Sequence, residues 1–423
     1  MLTKIIALVI FVVTYFFIIR HYEKKQIVVW IAVAILLLTG MLGITDAIGA
    51  IDWNVILLYF GMLLVSEVFL YSKMPDFLAV YFASKTSSTM VAMLIVCTLA
   101  SALSILLENV AVVLLVAPIA LSIAKKCKIN PVPLFIGIAI SSNLQGTATL
   151  IGDPPSMLLG SYLSMNFNEF FLIDGKPGMF FAVQLGAIVS LIVLYFAFKR
   201  YSGKMPKIEK EKYISIVPAL FVIALVAALI VSSFLGDLIP LNAGAWCVIF
   251  GILCYAWYVS HTKDTKVVKY VKKLDWQTGL FLIGVFILVA SLVSSGIVND
   301  VAGIMGTLSG NSILLAFIII VTFSVLLSAF IDNIPYLVIM LPVAQSLTDQ
   351  LGANPYLFFF GLLLGASIGG NVTPIGASAN IVSMGIMKRE GYKTTFGGFV
   401  KIGLPFTIAS VVASSAFIWI FFS

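Results

Sequence analysis

The stretch NLQGTATLIGDPP, residues 143–155, interrupts one of the most apolar segments of the chain with amides, hydroxyls, glycine and proline. A related stretch, GGNVTPIGASAN, occupies residues 369–380, so that Thr149 and Gly152 recur 224 residues later as Thr373 and Gly376. Glycine and proline at this density stop a helix and release backbone N–H and C=O groups. Each stretch therefore predicts an apolar helix that starts, breaks and restarts.

Composition identifies the bilayer as the solvent of this chain. Of its 423 residues 61% are apolar and 10% are charged, and the mean hydropathy is +1.13, so too little polar surface exists for a water-soluble fold. Apolar runs of spanning length, about 17–25 residues, lie at 5–19, 27–44, 53–71, 178–198, 213–235, 243–259, 276–295 and 399–422. The first run lacks a small-residue cleavage site and predicts a retained helix. Interrupted runs at 133–165 and 356–387 contain the two polar stretches.

The distribution of basic residues predicts the orientation. With the N-terminus outside, every Lys and Arg except Lys4 and Lys176 falls on the cytoplasmic side, including the cluster Arg20, Lys24 and Lys25. This asymmetry follows the positive-inside rule, so the net charge of +7 does not indicate nucleic-acid binding. We expect a multi-pass protein of the cell inner membrane in which Lys401, near the start of the run 399–422, is the one basic residue inside a predicted span.

Further matches extend the duplication along the chain. The pair Glu108-Asn109 recurs as Asp332-Asn333 at the same spacing, and Asp52 recurs as Asp275 at an offset of 223. An odd number of crossings between the copies makes the halves inverted repeats. We therefore predict an all-α polytopic fold with two inverted repeats of five spanning helices each. They occupy residues 1–200 and 213–423, and 201–212 form a cytoplasmic linker.

Each half also contains an apolar stretch that is too long for one crossing, at 88–124 and 311–347, with the acidic-Asn pair in its middle. A re-entrant hairpin would place this pair near mid-membrane, whereas two spanning helices would place it in an aqueous loop. Lys85 and Lys125 flank the first stretch and put both of its ends on the cytoplasmic side, which favours the hairpin. Non-helical backbone at that depth requires surrounding protein or a water-filled cavity.

Broken helices and hairpins together predict two sites for a small polar solute and a coupling cation. Half-helix N-termini carry positive dipole ends and unwound carbonyls carry negative ones, and both meet at the membrane midplane. No catalytic residue and no cofactor is predicted. The candidate binding residues are Glu108, Asn109, Asn143, Gly146, Thr147, Thr149, Gly152, Asp153, Asp332, Asn333, Asn371, Thr373, Gly376, Ser378 and Asn380.

Acidic residues within the predicted spans suggest ion coupling. An ionised carboxylate at the bilayer centre costs about 2.5–3.5 kcal/mol, and no basic residue is predicted nearby to pair with Glu108 or Asp332. These groups must be neutral, share hydrogen bonds or bind protons or sodium. Asp153 could instead cap the half-helix that opens at Pro154. Glu67 aligns with an alanine in the second half, which favours a local hydrogen-bonding role.

Cysteine spacing gives no evidence of a metal centre. Cys97, Cys127, Cys247 and Cys254 form no CxxC or other ligand pattern, and buried thiols are the expectation. The only metal ion that the sequence suggests is sodium at the hairpin turns.

These motifs resemble the signature loops of the ion transporter superfamily. The nearest branch looks like the arsenical pump membrane proteins and the melanosomal P protein, with NhaD-type sodium/proton antiporters and sodium/dicarboxylate carriers as relatives. The resemblance covers nearly the whole chain. It implies a scaffold, a mobile domain that carries the hairpins and broken helices, an elevator motion and a homodimer. The dicarboxylate carriers bear Ser-Asn-Thr where this chain has Glu-Asn-Val and Asp-Asn-Ile, which argues against their mechanism.

The resulting hypothesis is a secondary active transporter and not an enzyme. Proton-coupled efflux of arsenite or antimonite is the first interpretation, because their neutral hydroxides need hydroxyl and amide partners. A sodium/proton antiporter is the alternative, followed by a small-anion, dicarboxylate-like carrier. The chain has no phosphate-binding Gly-x-x-x-x-Gly-Lys-Ser/Thr motif, so ATP-driven export would need a separate ATPase subunit.

Overall fold

A computed structural model describes residues 2–21, 24–201, 203–204, 212–238, 241–263 and 274–423. Most of the predicted linker 201–212 and most of the Lys-rich stretch 263–273 lie outside the described residues. Helices dominate the described chain, and its two strands, β1 (Leu172–Ile173) and β2 (Lys176–Pro177), form one small hairpin between turns and loops. Helices dominate because each satisfies its own backbone hydrogen bonds, which the interior of a bilayer demands.

Ten α-helices form the first half of the chain as far as the structure describes it. They are α1 (Leu2–Arg20), α2 (Lys25–Leu38), α3 (Ile44–Gly49), α4 (Trp53–Tyr71), α5 (Met74–Ala83), α6 (Thr89–Ser104), α7 (Asn109–Cys127), α8 (Val132–Gly146), α9 (Pro154–Tyr162) and α10 (Met179–Phe198). The helix in the apolar run predicted at 27–44 ends at Leu38, before the end of the run. Gly40 adopts a positive φ of 70° just after α2, and a separate short helix, α3, follows.

Nine helices among the described residues form the second half. They are α11 (Val217–Leu235), α12 (Ala243–Thr262), α13 (Trp276–Ser295), α14 (Ile297–Leu308), α15 (Ile313–Ser328), α16 (Asn333–Leu351), α17 (Pro355–Gly369), α18 (Ser378–Arg389) and α19 (Phe396–Phe422). Both polar stretches break their helices, between α8 and α9 and between α17 and α18. The acidic-Asn pairs lie at the turns between α6 and α7 and between α15 and α16.

Eight helices among the described residues are long and apolar enough to cross a membrane. They are α4, α7, α10, α11, α12, α13, α17 with the turn after it, and α19. Several others, including α6, α8 and α15, are apolar but shorter. The chain is thus a multi-span membrane protein, and the re-entrant depth of the two hairpins stays a prediction.

Packing divides the helices into two groups. One group contains α1, α2, α4, α11, α12 and α13, with α4 against α12 and α2 against α13 as its main contacts. The other contains both hairpins, both broken helices, α10 and α19, with extensive contact of α10 with α19 and of α15 with α17. The halves of the chain therefore interleave, and the polar residues of both halves meet within the second group.

Candidate functional site

Both hairpin turns use their acidic residue as a helix cap. Oε2 of Glu108 accepts a hydrogen bond from the Ala111 N–H at 3.0 Å, at the start of α7. Oδ1 of Asp332 accepts one from the Ile334 N–H at 3.3 Å, at the start of α16. An acidic N-cap satisfies an otherwise free N–H and complements the helix dipole. Each carboxylate is thereby held at the turn with one oxygen left for other contacts.

A threonine ties each broken segment to the hairpin of its own half. The Thr149 hydroxyl donates to the Ile105 carbonyl just after α6, and the Thr373 hydroxyl donates to the Ala329 carbonyl just after α15. Each hydrogen bond joins two residues that are 44 positions apart in the sequence, and both threonines are buried. These two predicted site residues therefore satisfy carbonyls that the ends of α6 and α15 leave free.

Glycines allow each broken segment to close on itself. A Cβ at Gly152 would lie 2.3 Å from the Gly146 carbonyl oxygen, and one at Gly376 would lie 2.6 Å from the Gly370 carbonyl oxygen. Real Cβ atoms do not approach an oxygen this closely, so only glycine fits. The predicted site residues Gly152 and Gly376 are thus required by the close approach of two backbone segments, and Gly146 supplies the carbonyl oxygen that Gly152 approaches.

Four asparagines join the two halves at the centre of the molecule. The Asn109 side-chain amide donates to Oδ1 of Asn143 at 2.8 Å. The Asn143 amide in turn donates to Oδ1 of Asn371 at 2.8 Å and to Oδ1 of Asn380 at 3.0 Å. Asn143 thus connects the first hairpin with the broken segment of the other half.

The rest of this network is satisfied by backbone carbonyls. Asn371 donates to the Ile140 carbonyl at 3.0 Å, and Asn380 donates to the Gly370 and Thr373 carbonyls at 2.9 Å each. The Thr147 hydroxyl donates to the Asn143 carbonyl at 3.4 Å. These amides and hydroxyls are buried and hydrogen-bonded within the chain, because an unpaired buried polar group is costly, and their contact with a solute stays a prediction.

Asp153 takes the capping role, one of the two roles that the sequence left open. Its Oδ1 caps α9 by accepting from the Ser156 N–H at 2.9 Å, which confirms the capping role. Its Oδ2 is buried and has no hydrogen-bond partner among the described residues, and the whole residue is 1% exposed. The cap therefore does not account for the second oxygen, which is able to hold a proton or contact a cation.

We expected Asp332 to have no basic partner, and this expectation was wrong. Nζ of Lys25, the first residue of α2, forms a salt bridge with Oδ2 of Asp332. Both side chains are buried, and the ammonium also lies 4.5 Å from the centre of the Phe281 ring. Lys25 belongs to a cluster that the charge distribution placed in a cytoplasmic loop, but its long side chain reaches inward to the second hairpin turn.

A cavity of about 190 Å³ lies beside the first hairpin turn. Its described lining carries three acidic side chains and no Lys or Arg. The polar residues that line it are Tyr59, Glu67, Glu108, Asn109, Asp275, Thr278, Asn333 and Ser378. Four of the candidate residues, Glu108, Asn109, Asn333 and Ser378, therefore meet at one cavity. The other eleven do not line the cavity, and one of them, Asp332, pairs with Lys25.

Asp275 is a cavity residue that sequence reasoning used only as a marker of the duplication. Its Oδ1 caps α13 through the Thr278 N–H at 3.0 Å, and its Oδ2 accepts from the Tyr59 hydroxyl at 3.2 Å. Its counterpart Asp52 caps α4 in the same way but does not line this cavity. The sequence signal for Asp275 as a site residue was its position as an acidic residue at the start of an apolar helix. A helix cap explains that position equally well.

Glu67 lies in the same cavity, on the face of α4 that Tyr59 and Leu63 share. The sequence favoured a locally hydrogen-bonded glutamate at this position. The structure gives Glu67 no hydrogen bond to another described residue and places it where Glu108 and Asp275 are. The three carboxylates create a negative local field that favours cations and neutral solutes over free anions.

The described residues provide no cluster of three His, Cys, Asp or Glu side chains that could hold a metal ion. The four cysteines form no disulfide with one another, and Cys97, Cys247 and Cys254 are buried. The chemistry available at the cavity is therefore that of carboxylates, amides and hydroxyls.

Comparisons with known proteins agree with this architecture. The chain is 30% identical to an uncharacterized transporter of Mycobacterium tuberculosis over 434 residues, which cover 99% of this chain and 98% of that protein. It is also 30% identical over 435 residues to a 46 kDa membrane protein of Mycobacterium leprae, with the same coverage. The human P protein is 24% identical over 89% of this chain and 54% of its own length.

Two solved structures share the fold. The YdaH transporter of Alcanivorax borkumensis matches with a TM-score of 0.59 over 89% of this chain and 86% of that one, at 14% identity. MtrF of Neisseria gonorrhoeae, described as one of a class of antimetabolite efflux pumps, matches with a TM-score of 0.55 over 92% and 84%, at 15% identity. The sequence also matches the citrate transporter family over residues 6–362 and 308–423. The chain is a membrane transporter of the citrate transporter (CitMHS) family, within the ion transporter superfamily.

Proposed function

We propose that the chain is a secondary active transporter that couples proton movement to the export of a small solute that is neutral or cationic when bound. Arsenite or antimonite, as the neutral hydroxide, is the first candidate solute. The observation that carries the proposal is the cavity beside Glu108, whose described lining bears three carboxylates and no basic side chain.

Proton coupling is supported by the difference between the two hairpin turns. Asp332 is neutralised by Lys25, whereas Glu108 forms no salt bridge with a described residue and lines the cavity. Ionising a carboxylate at membrane depth is costly without a cation, so Glu108 must exchange a proton or a cation when its surroundings change. Asp153, with its unpartnered Oδ2, is the second candidate for that exchange.

The position of the cavity supports access from the cytoplasm. Leu274 and Asp275 line it and directly follow the Lys-rich stretch 263–273, which the positive-inside rule predicts to be cytoplasmic. A solute would enter from that side. Its uncharged hydroxyls would be able to exchange hydrogen bonds with Glu108, Asn109 and Asn333.

Sodium/proton antiport is the second candidate function. It is favoured by the acidic lining, because Glu67, Glu108 and Asp275 attract a cation more strongly than a neutral hydroxide. A sodium ion would then occupy the cavity near the first hairpin turn. A small anion is the third candidate because the family is described as citrate transporters, but a free tricarboxylate would meet three carboxylates in this lining.

Alternating access by an elevator motion is part of the proposal. It is supported by the division of the helices into a group with α4 and α12 and a group with both hairpins and both broken helices. The two groups would correspond to scaffold and mobile domain, built from inverted repeats at 1–200 and 213–423. A homodimer in the inner membrane with its N-terminus outside completes the proposed assembly. A separate ATPase subunit is not needed if protons drive export.

Flux in proteoliposomes tests the solute and the coupling together. Purified protein is reconstituted, a pH gradient is imposed, and uptake of arsenite, sodium or citrate is followed in parallel, with Glu108→Gln as the coupling control. We expect gradient-dependent arsenite flux that this variant loses. Gradient-dependent sodium flux would favour the second candidate. Citrate flux without arsenite or sodium flux would overturn the proposed selectivity.

A further inference from the structure

A second cavity, of about 430 Å³, lies at the opposite end of α8 from the broken segment. It forms where α8 and α19 begin and α10 ends, and we call it the basic pocket. Its polar lining consists of Asn130, Arg200, Lys393, Thr395 and Lys401. The basic pocket shares no lining residue with the cavity beside Glu108, so it is a separate site.

The charge of the basic pocket is not neutralised within the described chain. Arg200, Lys393 and Lys401 form no salt bridge with a described residue. On the same face of the molecule, Lys125 forms a salt bridge with Glu390 at 3.1 Å, so that carboxylate already has a basic partner outside the pocket. Three positive charges around one cavity attract an anionic group strongly.

Helix starts add to this preference for anions. The Thr395 hydroxyl caps α19 by accepting from the Gly398 N–H at 3.1 Å, and the Asn130 side chain accepts from the Val132 N–H at 3.0 Å near the start of α8. The positive dipole ends of a 27-residue and a 15-residue helix therefore border the pocket. The bound anion would be large enough to contact groups on several elements.

The remaining lining is apolar and continuous with the outer surface of α10. Phe196 lines the pocket and is 64% exposed, and Ile192 and Ile188 follow on the same helical face at 55% and 65% exposed. In a membrane protein such a face contacts acyl chains. The ligand that fits is therefore anionic at one end and apolar along the other.

We propose that the basic pocket binds the phosphate headgroup of an anionic phospholipid, with an acyl chain along the exposed face of α10. Basic pockets between membrane helices are suited to such headgroups. The lipid would join the starts of α8 and α19 to the end of α10. Because α8 carries Asn143 near its other end, a lipid bound at the start of α8 would stabilise the position of the broken helix.

Lipid titration in nanodiscs tests this assignment. Full-length protein is placed in phosphatidylcholine nanodiscs with increasing phosphatidylglycerol, and the thermal unfolding midpoint and the bound lipid are measured. The test variant is the triple change Arg200→Gln, Lys393→Gln and Lys401→Gln. The matched control neutralises three exposed basic residues on the same face outside the pocket, by Lys126→Gln, Lys388→Gln and Arg389→Gln.

We expect phosphatidylglycerol to raise the unfolding midpoint of the wild type and of the control. Each basic residue lost from the pocket should weaken lipid binding by about fivefold, so the triple variant should bind roughly a hundredfold more weakly. The charge-conserving change Arg200→Lys should retain most of the binding and shows that charge, and not misfolding, is responsible.

Two results would overturn the assignment. Equal loss of binding in the control would show a diffuse surface attraction and no pocket. Equal stabilisation by inorganic phosphate at matched ionic strength would show a site for soluble anions and no lipid site. If the midpoint in pure phosphatidylcholine is lowered in the triple variant alone, the single change Lys393→Gln replaces it in both comparisons.

Discussion

Lys25 forms a buried salt bridge with Asp332 across 307 residues of sequence, between the start of α2 and the second hairpin turn. With the offset of 223 that relates Asp52 to Asp275, the position that corresponds to Lys25 in the second half is Val248. Glu108 therefore has no equivalent cation. The two hairpin turns therefore differ in electrostatics, and of their two carboxylates only Glu108 has no basic partner among the described residues.

Removing either partner of this salt bridge should destabilise the protein. Breaking a buried pair costs about 3–5 kcal/mol because the remaining charge is left uncompensated. We expect Lys25→Met and Asp332→Asn each to lower the free energy of unfolding by about that amount. The double variant should be more stable than the sum of the two changes predicts, as measured by denaturant unfolding in detergent. Strict additivity would show that the pair does not interact energetically.

Glu108→Gln should abolish proton-driven flux and leave the fold intact. The glutamine carbonyl oxygen is still able to accept from the Ala111 N–H, so the helix cap survives while the exchangeable proton is lost. Flux against pH in proteoliposomes checks this, with Glu390→Gln as the control. Glu390 lies in an exposed pair with Lys125, and its change should have little effect. Wild-type pH dependence in Glu108→Gln would assign coupling elsewhere.

Two substitutions at Asp153 separate its capping role from its role in coupling. Asparagine caps helices as well as aspartate, so Asp153→Asn should fold normally and alter the pH dependence of flux if Oδ2 exchanges protons. Asp153→Ala loses the cap and should cost about 1 kcal/mol of stability in addition. Unfolding and flux are measured for both. An Asp153→Asn variant with wild-type flux at every pH would leave Asp153 as a cap alone.

The closing glycines should tolerate no side chain. Gly152→Ala and Gly376→Ala place a Cβ against a carbonyl oxygen, and relief of such overlap typically costs about 1–3 kcal/mol. Gly385, in the interior of α18, has no atom within 4 Å of an added Cβ, so Gly385→Ala should be neutral or stabilising. Thermal unfolding of the three variants compares them. Equal midpoints would contradict the close backbone approach.

The positions of the breaks and hairpin turns could be predicted because their causes are local. The glycine and proline residues of the stretches 143–155 and 369–380 stop the helices there, and the caps at Glu108 and Asp332 act within three residues. The candidate site was harder to predict. The sequence grouped Asn143, Asn371 and Asn380 with the solute, because it showed polar residues at the right depth without showing what they contact.

Sequence by itself determined that this is a multi-span helical protein of a transporter family, and which residue types occupy its turns and breaks. These features follow from composition, hydropathy and short-range chain chemistry. Tertiary structure decided which polar groups remain free. Asn143 is satisfied by Asn371 across 228 residues and Asp332 by Lys25 across 307, whereas Glu67, Glu108 and Asp275 converge on one cavity. Hydrogen bonds and ion pairs between such distant residues depend on helix packing, which no local pattern encodes.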